Sequence, residues 1–254
     1  MKFFFWKYLI SGDALVLDRW RFILRYLPIT REPLRLLDVG CGSGAFTIGA
    51  ALRGYRAVGL SWDRDNQSKA ERRSIVLGVS EWVDFPIVDA RALGESGYER
   101  ETFDYVLCLE NAEHIIDDEK LICDIASLLK PSGVLLFSAP YRFYKAITSA
   151  DNGPFCHEET GWHVRRGYSE REVAYLMEAA GLDVEKIGFC SFAASQKATW
   201  LLRSLASIFG YSISWAITFP VRLLAMLLDP LCSALPLPGF SVTAVAIKRR
   251  TIKS

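Results

Sequence analysis

Residues 36–47 read Leu36-Leu37-Asp38-Val39-Gly40-Cys41-Gly42-Ser43-Gly44-Ala45-Phe46-Thr47, a short apolar run that stops at an aspartate and breaks into alternating glycines. A buried strand that ends in a glycine-rich turn and passes into a helix presents bare backbone N–H groups to a ligand, because no side chain stands in the way. That geometry builds a nucleotide site. Downstream, the spacing of apolar residues predicts a helix over 46–53 ending near Gly54, a strand over 57–60, a helix over 66–77 and strands over 82–88 and 103–109. A helix over 119–129 and a strand over 134–138 follow. Strands alternating with helices require parallel crossovers, hence an α/β doubly wound sheet covered on both faces. Ligands of such sheets bind outside the carboxyl ends of the strands, and the first switch point falls at the glycine loop.

The composition bounds the rest. With 254 residues, 51% of them apolar, the chain fits one large domain with an appendage better than two small ones. A net charge of +1, with no basic stripe among aromatics, gives no electrostatic case for a nucleic-acid partner. The six cysteines (Cys41, Cys108, Cys123, Cys156, Cys190 and Cys232) are scattered, with neither a Cys-x-x-Cys pair for zinc nor a dense disulfide framework. A reducing, cytoplasmic setting is the expectation. Near the start, Phe3, Phe4, Phe5, Trp6 and Tyr8 stand around Lys2 and Lys7. Lys7 interrupts the run too early for a signal peptide, whereas rings beside lysines suit a membrane interface; rings folded over the domain are the alternative. Residues 13–27 repeat apolar side chains at helical spacing before Pro28 and Pro33, which predicts a lid or packing helix in front of the main domain.

The glycine motif by itself leaves two cofactors open. Gly40, Gly42 and Ala45 also satisfy the G-x-G-x-x-A dinucleotide fingerprint, with Asp63 near the place of a ribose-binding acid. The wider order of motifs separates them. Asp38 two residues before the first glycine, Phe-Asp-Tyr-Val-Leu-Cys-Leu-Glu at 103–110 and Leu-Leu-Lys-Pro-Ser-Gly-Val-Leu-Leu-Phe-Ser at 128–138 resemble the class I S-adenosylmethionine-dependent methyltransferases over residues 34–189. The resemblance implies a seven-stranded sheet with its last strand antiparallel. It also implies that Gly40, Cys41, Gly42 and Gly44 face the methionine part of S-adenosylmethionine, with Leu109 at the end of the fourth strand among the cofactor residues. Asp38 would orient the loop and meet the cationic amino group, and Asp89, with Ala90 beside it, would match the adenine-binding acid.

The sequence departs from the pattern at one place. Where the family has an acid directly after the second strand, for the ribose hydroxyls, this chain has Ser61, with Asp63 the nearest substitute. If the strand continues, 61 and 63 point the same way and the carboxylate reaches the ribose. Residues 59–67 also resemble a segment of cyclopropane-fatty-acid synthases.

Glu110-Asn111-Ala112-Glu113-His114 follows the fourth strand at the rim. Its Glu-x-x-Glu-His spacing resembles the ubiquinone-pathway O-methyltransferases, which implies Glu110, Glu113 and His114 as catalytic residues and a divalent cation as a second cofactor. A hard cation lowers the pKa of a bound hydroxyl. Alternatively His114 acts alone as general base, or the cluster only closes the cofactor pocket. The long connection 139–167 faces the acceptor in this family, which makes His163, Arg165 and Tyr168 candidate substrate contacts. His157, beside two glutamates, reads as a surface histidine. Ser169 and Glu172 form a capping box for the helix up to Ala180.

After a strand near 183–189 the composition changes. Residues 198–237 hold three charges, Arg203, Arg222 and Asp229, and the uncharged run 204–221 lies at the lower edge of the ~17 to 25 residues that span hydrocarbon. Yet 240–248 alternates as a strand and must pair with the strand before the insertion, so one crossing would part the two across a bilayer. An interfacial helical pair broken near Pro220 is the expectation, with a dimerisation surface or a substrate-pocket cap as alternatives. The domain plan is thus a lid helix (1–33), a cofactor core (34–190), a hydrophobic helical insertion (191–238) and a final strand with tail (239–254). The implied activity is methyl transfer, most readily to oxygen, on a lipophilic or membrane-held small-molecule acceptor. A carbon-methylating or cyclopropane-forming lipid enzyme, an NAD-dependent oxidoreductase and a non-catalytic binding module compete with it.

Overall fold

The structure is a computed structural model that describes residues 12–235 and 238–250. The aromatic and lysine cluster of 1–10 lies outside the described residues, as do the last two residues of the 198–237 stretch. Asp13 opens the first helix, α1 (Ala14–Tyr26), by accepting the backbone N–H groups of Leu15 and Val16 at 3.0 and 3.2 Å, which satisfies donors no helical carbonyl can reach. Its apolar face drives Trp20, Ile23 and Leu27 against Leu36, Tyr55 and Leu136 of the sheet. The packing helix expected from periodicity is therefore present.

Seven strands follow the order β3-β2-β1-β4-β5-β7-β6. They are β1 (Arg35–Val39), β2 (Arg56–Leu60), β3 (Val83–Asp84), β4 (Phe103–Leu109), β5 (Leu129–Pro140), β6 (Leu182–Cys190) and β7 (Ser241–Lys248). The helices between them are α2 (Ala45–Ala51), α3 (Arg64–Val76), α4 (Asp118–Leu128) and α5 (Glu170–Ala179). The β1, β2, β4 and β5 ladders are parallel, whereas β7 runs antiparallel to both β5 and β6. Strands β1 and β4 are almost wholly apolar because helices cover both of their faces. The expected seven-stranded sheet with its antiparallel last strand is what the chain forms.

Strands β3 and β5 differ from expectation. Strand β3 has two residues instead of seven, because Pro86 has no N–H for the ladder; the chain rejoins β2 only at a single bridge, Ser61 to Ile87. Strand β2 stops at Leu60, where it was expected to end, so it does not continue to Asp63, which caps α3 instead. Strand β5 starts at Leu129, with a register shift opposite Phe103 and Tyr105. The Ser169–Glu172 capping box is formed as expected.

Between β6 and β7 lie α6 (Ala193–Phe209), α7 (Tyr211–Ile217) and α8 (Phe219–Cys232). No single helix among the described residues is long and apolar enough to cross a membrane; α7 and α8 reach that length and composition only together, bent by 60°. The insertion also returns to its own edge, since Cys190 at the end of β6 pairs with Ser241 at the start of β7. Its charges turn inward. Arg222 donates to the carbonyls of Gly12 and Trp215, each at 2.9 Å, and lies 4.2 Å from the Trp215 ring centre. Asp229 accepts the N–H groups of Phe192 and Ser195 at 2.7 and 2.9 Å, and Arg203 reaches Asp151 at 3.0 Å. Buried charges need such partners, and taking them leaves the outward faces to Ile208, Ile213, Leu224, Leu227 and Leu231.

Candidate active site

The glycine loop crosses the carboxyl end of β1 with Gly40, Gly42 and Gly44 all at positive φ. The Gly40 and Cys41 N–H groups both donate to the carbonyl of Leu60, at 3.0 and 2.9 Å, which ties the loop to the end of β2. The two glycines that matter most differ in reason. A Cβ on Gly40 would stand 2.5 Å from the Asn111 side chain, so this glycine admits close packing. Gly42, at φ 51°, has nothing within 4 Å of the place a Cβ would take, so its bareness leaves room for something outside the protein.

Below the loop, Asp38 is buried and accepts the Thr47 hydroxyl at 2.7 Å. Burial pushes its carboxyl up to about 7, against the smaller opposing effect of the Thr47 hydrogen bond. Gln67, which sequence reading missed, is buried beside it; its amide donates to the Gly59 and Pro86 carbonyls at 2.9 and 2.6 Å and accepts the Cys41 thiol at 3.3 Å. Its only signal in the sequence is a polar residue on the inner face of α3.

A cavity of about 260 Å³ opens in front of the loop, bounded among others by Gly42, Ser61, Asp63, Asn111 and His114. A second, of about 300 Å³, adjoins it and shares Trp62, Ala90, Asn111 and His114 while adding Asp89 and Arg91. The pair forms one trough along the strand ends. Ser61 and Asp63 both reach it, but the Asp63 carboxylate already accepts Asp65 N–H, Asn66 N–H and the Asn66 amide at 2.9, 3.0 and 2.8 Å. Asp89 is held by Arg91 Nε at 2.9 Å, and that hydrogen bond keeps its carboxyl below the usual range. Leu109, expected among the cofactor residues, lies instead in the core beneath the sheet with Leu107 and Leu136 and lines neither cavity.

The Glu110, Glu113 and His114 cluster divides. Glu110, at φ 49°, borders the first cavity, but its carboxylate is engaged: it accepts Ser138 Oγ at 2.9 Å and pairs with Arg19 of α1 at 3.0 Å. Glu113 instead points inward, buried, with His114 Nε2 at 3.9 Å and His163 Nε2 at 4.0 Å from its Oε1. The two imidazoles meet edge to face with centres 4.6 Å apart, and one ligand atom from each of the three residues falls within 4.8 Å of the others. Burial, with Glu110 close by, raises the Glu113 carboxyl well above its ordinary value, and burial lowers both imidazoles. Both histidines are thus neutral near pH 7 and keep a free lone pair. The connection after β5 is docked here by Val164 N–H on the Glu113 carbonyl, 2.9 Å.

Of the three candidate substrate contacts, only His163 lies at this site. Arg165 is spent on Asp118 and on the carbonyls of Ile115 and Ile116, the latter two at 2.8 Å. Tyr168 is buried with its hydroxyl on Ala112 O at 3.0 Å and Asp118 at 2.8 Å. Both fasten the connection to the rim and neither faces the trough, because the residues that close a loop spend their polar groups on closing it. Arg19 and Asn111 were missed: the first sits on the packing helix with no motif around it, and the second was hidden between two glutamates.

A glycine loop at the end of β1, a buried acid beneath it and an antiparallel β7 between β5 and β6 define the class I methyltransferase architecture. A family profile described as a methyltransferase domain matches residues 12–187, and the chain belongs to that family, the S-adenosylmethionine-dependent methyltransferases. Among curated proteins it is similar to the ubiquinone biosynthesis O-methyltransferase of Rhizobium johnstonii, 36% identical over 119 residues, which cover 47% of this chain and 46% of that protein. The chain spans about half the length of the curated relatives it matches. Among solved structures it shares its fold with the [4+2]-cyclase SpnF (TM-score 0.64, 18% identity, 95% of this chain and 86% of that one). It also shares it with geranyl diphosphate C-methyltransferase from Streptomyces coelicolor A3(2), solved with Mg2+ and S-adenosyl-L-homocysteine (TM-score 0.61, 14% identity, 91% and 75%).

Proposed function

We propose that the chain transfers the methyl group of S-adenosylmethionine to an oxygen of a lipophilic small-molecule acceptor. One observation carries this reading: the trough that starts at the open face of Gly42, above buried Asp38, ends at His114 beside Glu113 and His163. A cationic amine and sulfonium suit the first end, and a hydroxyl that must lose a proton suits the second. Gly42 admits the methionine portion, Asp38 faces its ammonium, Ser61 and Asp63 border the ribose, and Ala90 with Asp89 borders the adenine. His114, neutral and lining the trough, takes the acceptor's proton as the oxygen attacks the methyl carbon and the carbon–sulfur bond breaks. Alignment supplies much of the rest, since the sulfonium is already a good leaving group.

The residues present also fit a divalent cation. Glu113 Oε2 is buried without a partner, and two neutral imidazoles converge on the same carboxylate. Glu113, His114 and His163 would hold the cation, and Glu110, engaged with Arg19 and Ser138, would not. Such an ion would favour the alkoxide or phenolate form of the acceptor. The name of the ubiquinone-pathway relatives supports oxygen as the methylated atom, and contact of 198–237 with a bilayer would bring a lipophilic acceptor to the rim.

Calorimetry with S-adenosylmethionine, S-adenosylhomocysteine and NAD tests the reading, followed by methyl transfer to lipophilic phenols. The first two are expected to bind; NAD binding without them would make the chain an oxidoreductase, and a product methylated on carbon would move the reaction off oxygen. Asp38 adds a pH signature. In the free protein its carboxyl titrates near 7, so below that pH a cationic ligand meets mostly protonated Asp38 and the apparent affinity falls with the ionised fraction, by roughly tenfold per pH unit. Asp38→Asn should bind weakly at all pH values with that slope gone. Equal slopes in both proteins would remove Asp38 from ammonium recognition.

A further inference from the structure

A second groove, of about 220 Å³, lies between α1, the outer strands β6 and β7 and the end of α8, and it shares no lining residue with the trough. Its rim carries Arg21 and Arg25 from α1 and Lys186 from β6, while Phe22, Phe189 and Phe192 line it. Arg25 and Lys186 meet no carboxylate within 4 Å among the described residues, and Arg21 meets only Asp18, at 3.4 Å. The acids that border the groove are already engaged: Asp229 accepts two backbone N–H groups, and Asp18 is buried against it. Three cations around an aromatic floor form a receptor for an anion attached to apolar matter.

Helix α8 joins this groove to the apolar face. Pro230 and Ser233 border the groove, while Leu224, Leu227 and Leu231 of the same helix stand outward in solvent beside Ile208 and Ile213. Exposed apolar side chains gathered on one group of helices mark an interaction site. The face lies at the catalytic rim, because β6 ends and β7 begins at the edge where Ser138 and Pro140 of β5 stand. The Gly12 carbonyl, just before α1, is held against these helices by Trp215 Nε1 and Arg222, each at 2.9 Å.

We propose that the groove binds the phosphate of an anionic phospholipid while the outward faces of α6, α7 and α8 rest among the acyl chains of the same bilayer leaflet. This rests on the lipophilic-acceptor reading given above and supplies its source, a bilayer at the mouth of the site. Charge complementarity chooses the occupant. Lipid offers phosphate and hydrocarbon side by side. A second copy of this chain offers the groove no exposed acid from the apolar face, where Asp229 points inward. The bend between α7 and α8 and the return of the chain to β7 keep the helices in the plane of the leaflet.

Flotation with vesicles tests it, using phosphatidylcholine alone or mixed in equal parts with phosphatidylglycerol. The full chain is expected to bind the mixed vesicles at least tenfold more tightly, with the difference shrinking as salt rises. Arg25→Glu with Lys186→Glu should remove that difference, and Leu227→Ser with Leu231→Ser should reduce binding to both vesicles, each with an unchanged melting temperature. Equal binding to the two vesicles overturns the headgroup groove. No binding, with the leucine variant converting a dimer to a monomer, assigns the face to a second copy and overturns the proposal. Stabilisation by inorganic phosphate without vesicle binding does the same in favour of free phosphate. Calorimetry with S-adenosylmethionine on the same protein separates the two readings: flotation lost with cofactor binding kept sinks only the docking, and the reverse sinks only the methyltransferase chemistry.

Discussion

Gly42→Asn is expected to weaken S-adenosylmethionine binding at least a hundredfold while the protein stays folded. Gly42 sits at φ 51°, a left-handed conformation that asparagine tolerates better than other side chains. The backbone cost is on the order of 1 kcal/mol, which a domain of this size absorbs. Nothing in the protein lies within 4 Å of where the new Cβ would stand, so the side chain meets no wall and projects into the trough. Its volume then competes with the ligand, and a hundredfold loss corresponds to roughly 2.8 kcal/mol of excluded contact. Thermal unfolding and calorimetry on one preparation read the two effects separately. An unchanged dissociation constant would mean that the cofactor does not approach this turn. Gly40 makes a contrasting control, because any side chain there runs into Asn111 and disturbs the fold as well.

Asp18→Asn is expected to make the protein more stable than its parent above pH 8, by a few kcal/mol. Asp18 of α1 is buried, and that burial, with the Asp229 carboxylate of α8 beside it, pushes its carboxyl up to about 8; Ser195 and Arg21 oppose the shift weakly. A folded-state value above the unfolded one, 3.8, contributes stability that is complete below about pH 4 and is lost as pH rises through 8. At about 1.4 kcal/mol per unit of difference, the full excursion amounts to several kcal/mol. The amide cannot ionise, so the variant should keep nearly constant stability where the parent declines. Urea denaturation from pH 5 to pH 9 gives the comparison, and parallel curves would exclude a raised Asp18 carboxyl.

Much of the architecture could be read from the chain because period and punctuation are local properties. The alternation of strand and helix, the glycine turn and the return of 240–248 to the sheet are all legible from neighbours a few residues apart. Asp38 and the Glu113-His114 pair were singled out by resemblance to a family and not by period. Side-chain direction was not legible. Glu110 and Glu113 look equivalent in the sequence, yet one carboxylate pairs with Arg19 and the other faces two histidines. His163 reaches His114 only because the connection after β5 folds back and docks through Val164, a contact that no spacing announces. Arg165 and Tyr168 carry reactive-looking groups but use them to fasten that connection. Pro86 was visible and its effect was underestimated, since β3 ends four residues early.

The position of β7 also orders the chain's own synthesis. This strand fills the slot between β5 and β6, yet it is translated after both and after the three apolar helices. Until 241–248 have been made, β5 and β6 lack their shared partner and each presents an open edge, a state prone to wrong pairing. The sheet can therefore close only after β5, β6 and all three helices have been made. A surface able to receive those helices, such as the bilayer proposed above, would act on this protein as a folding partner as well.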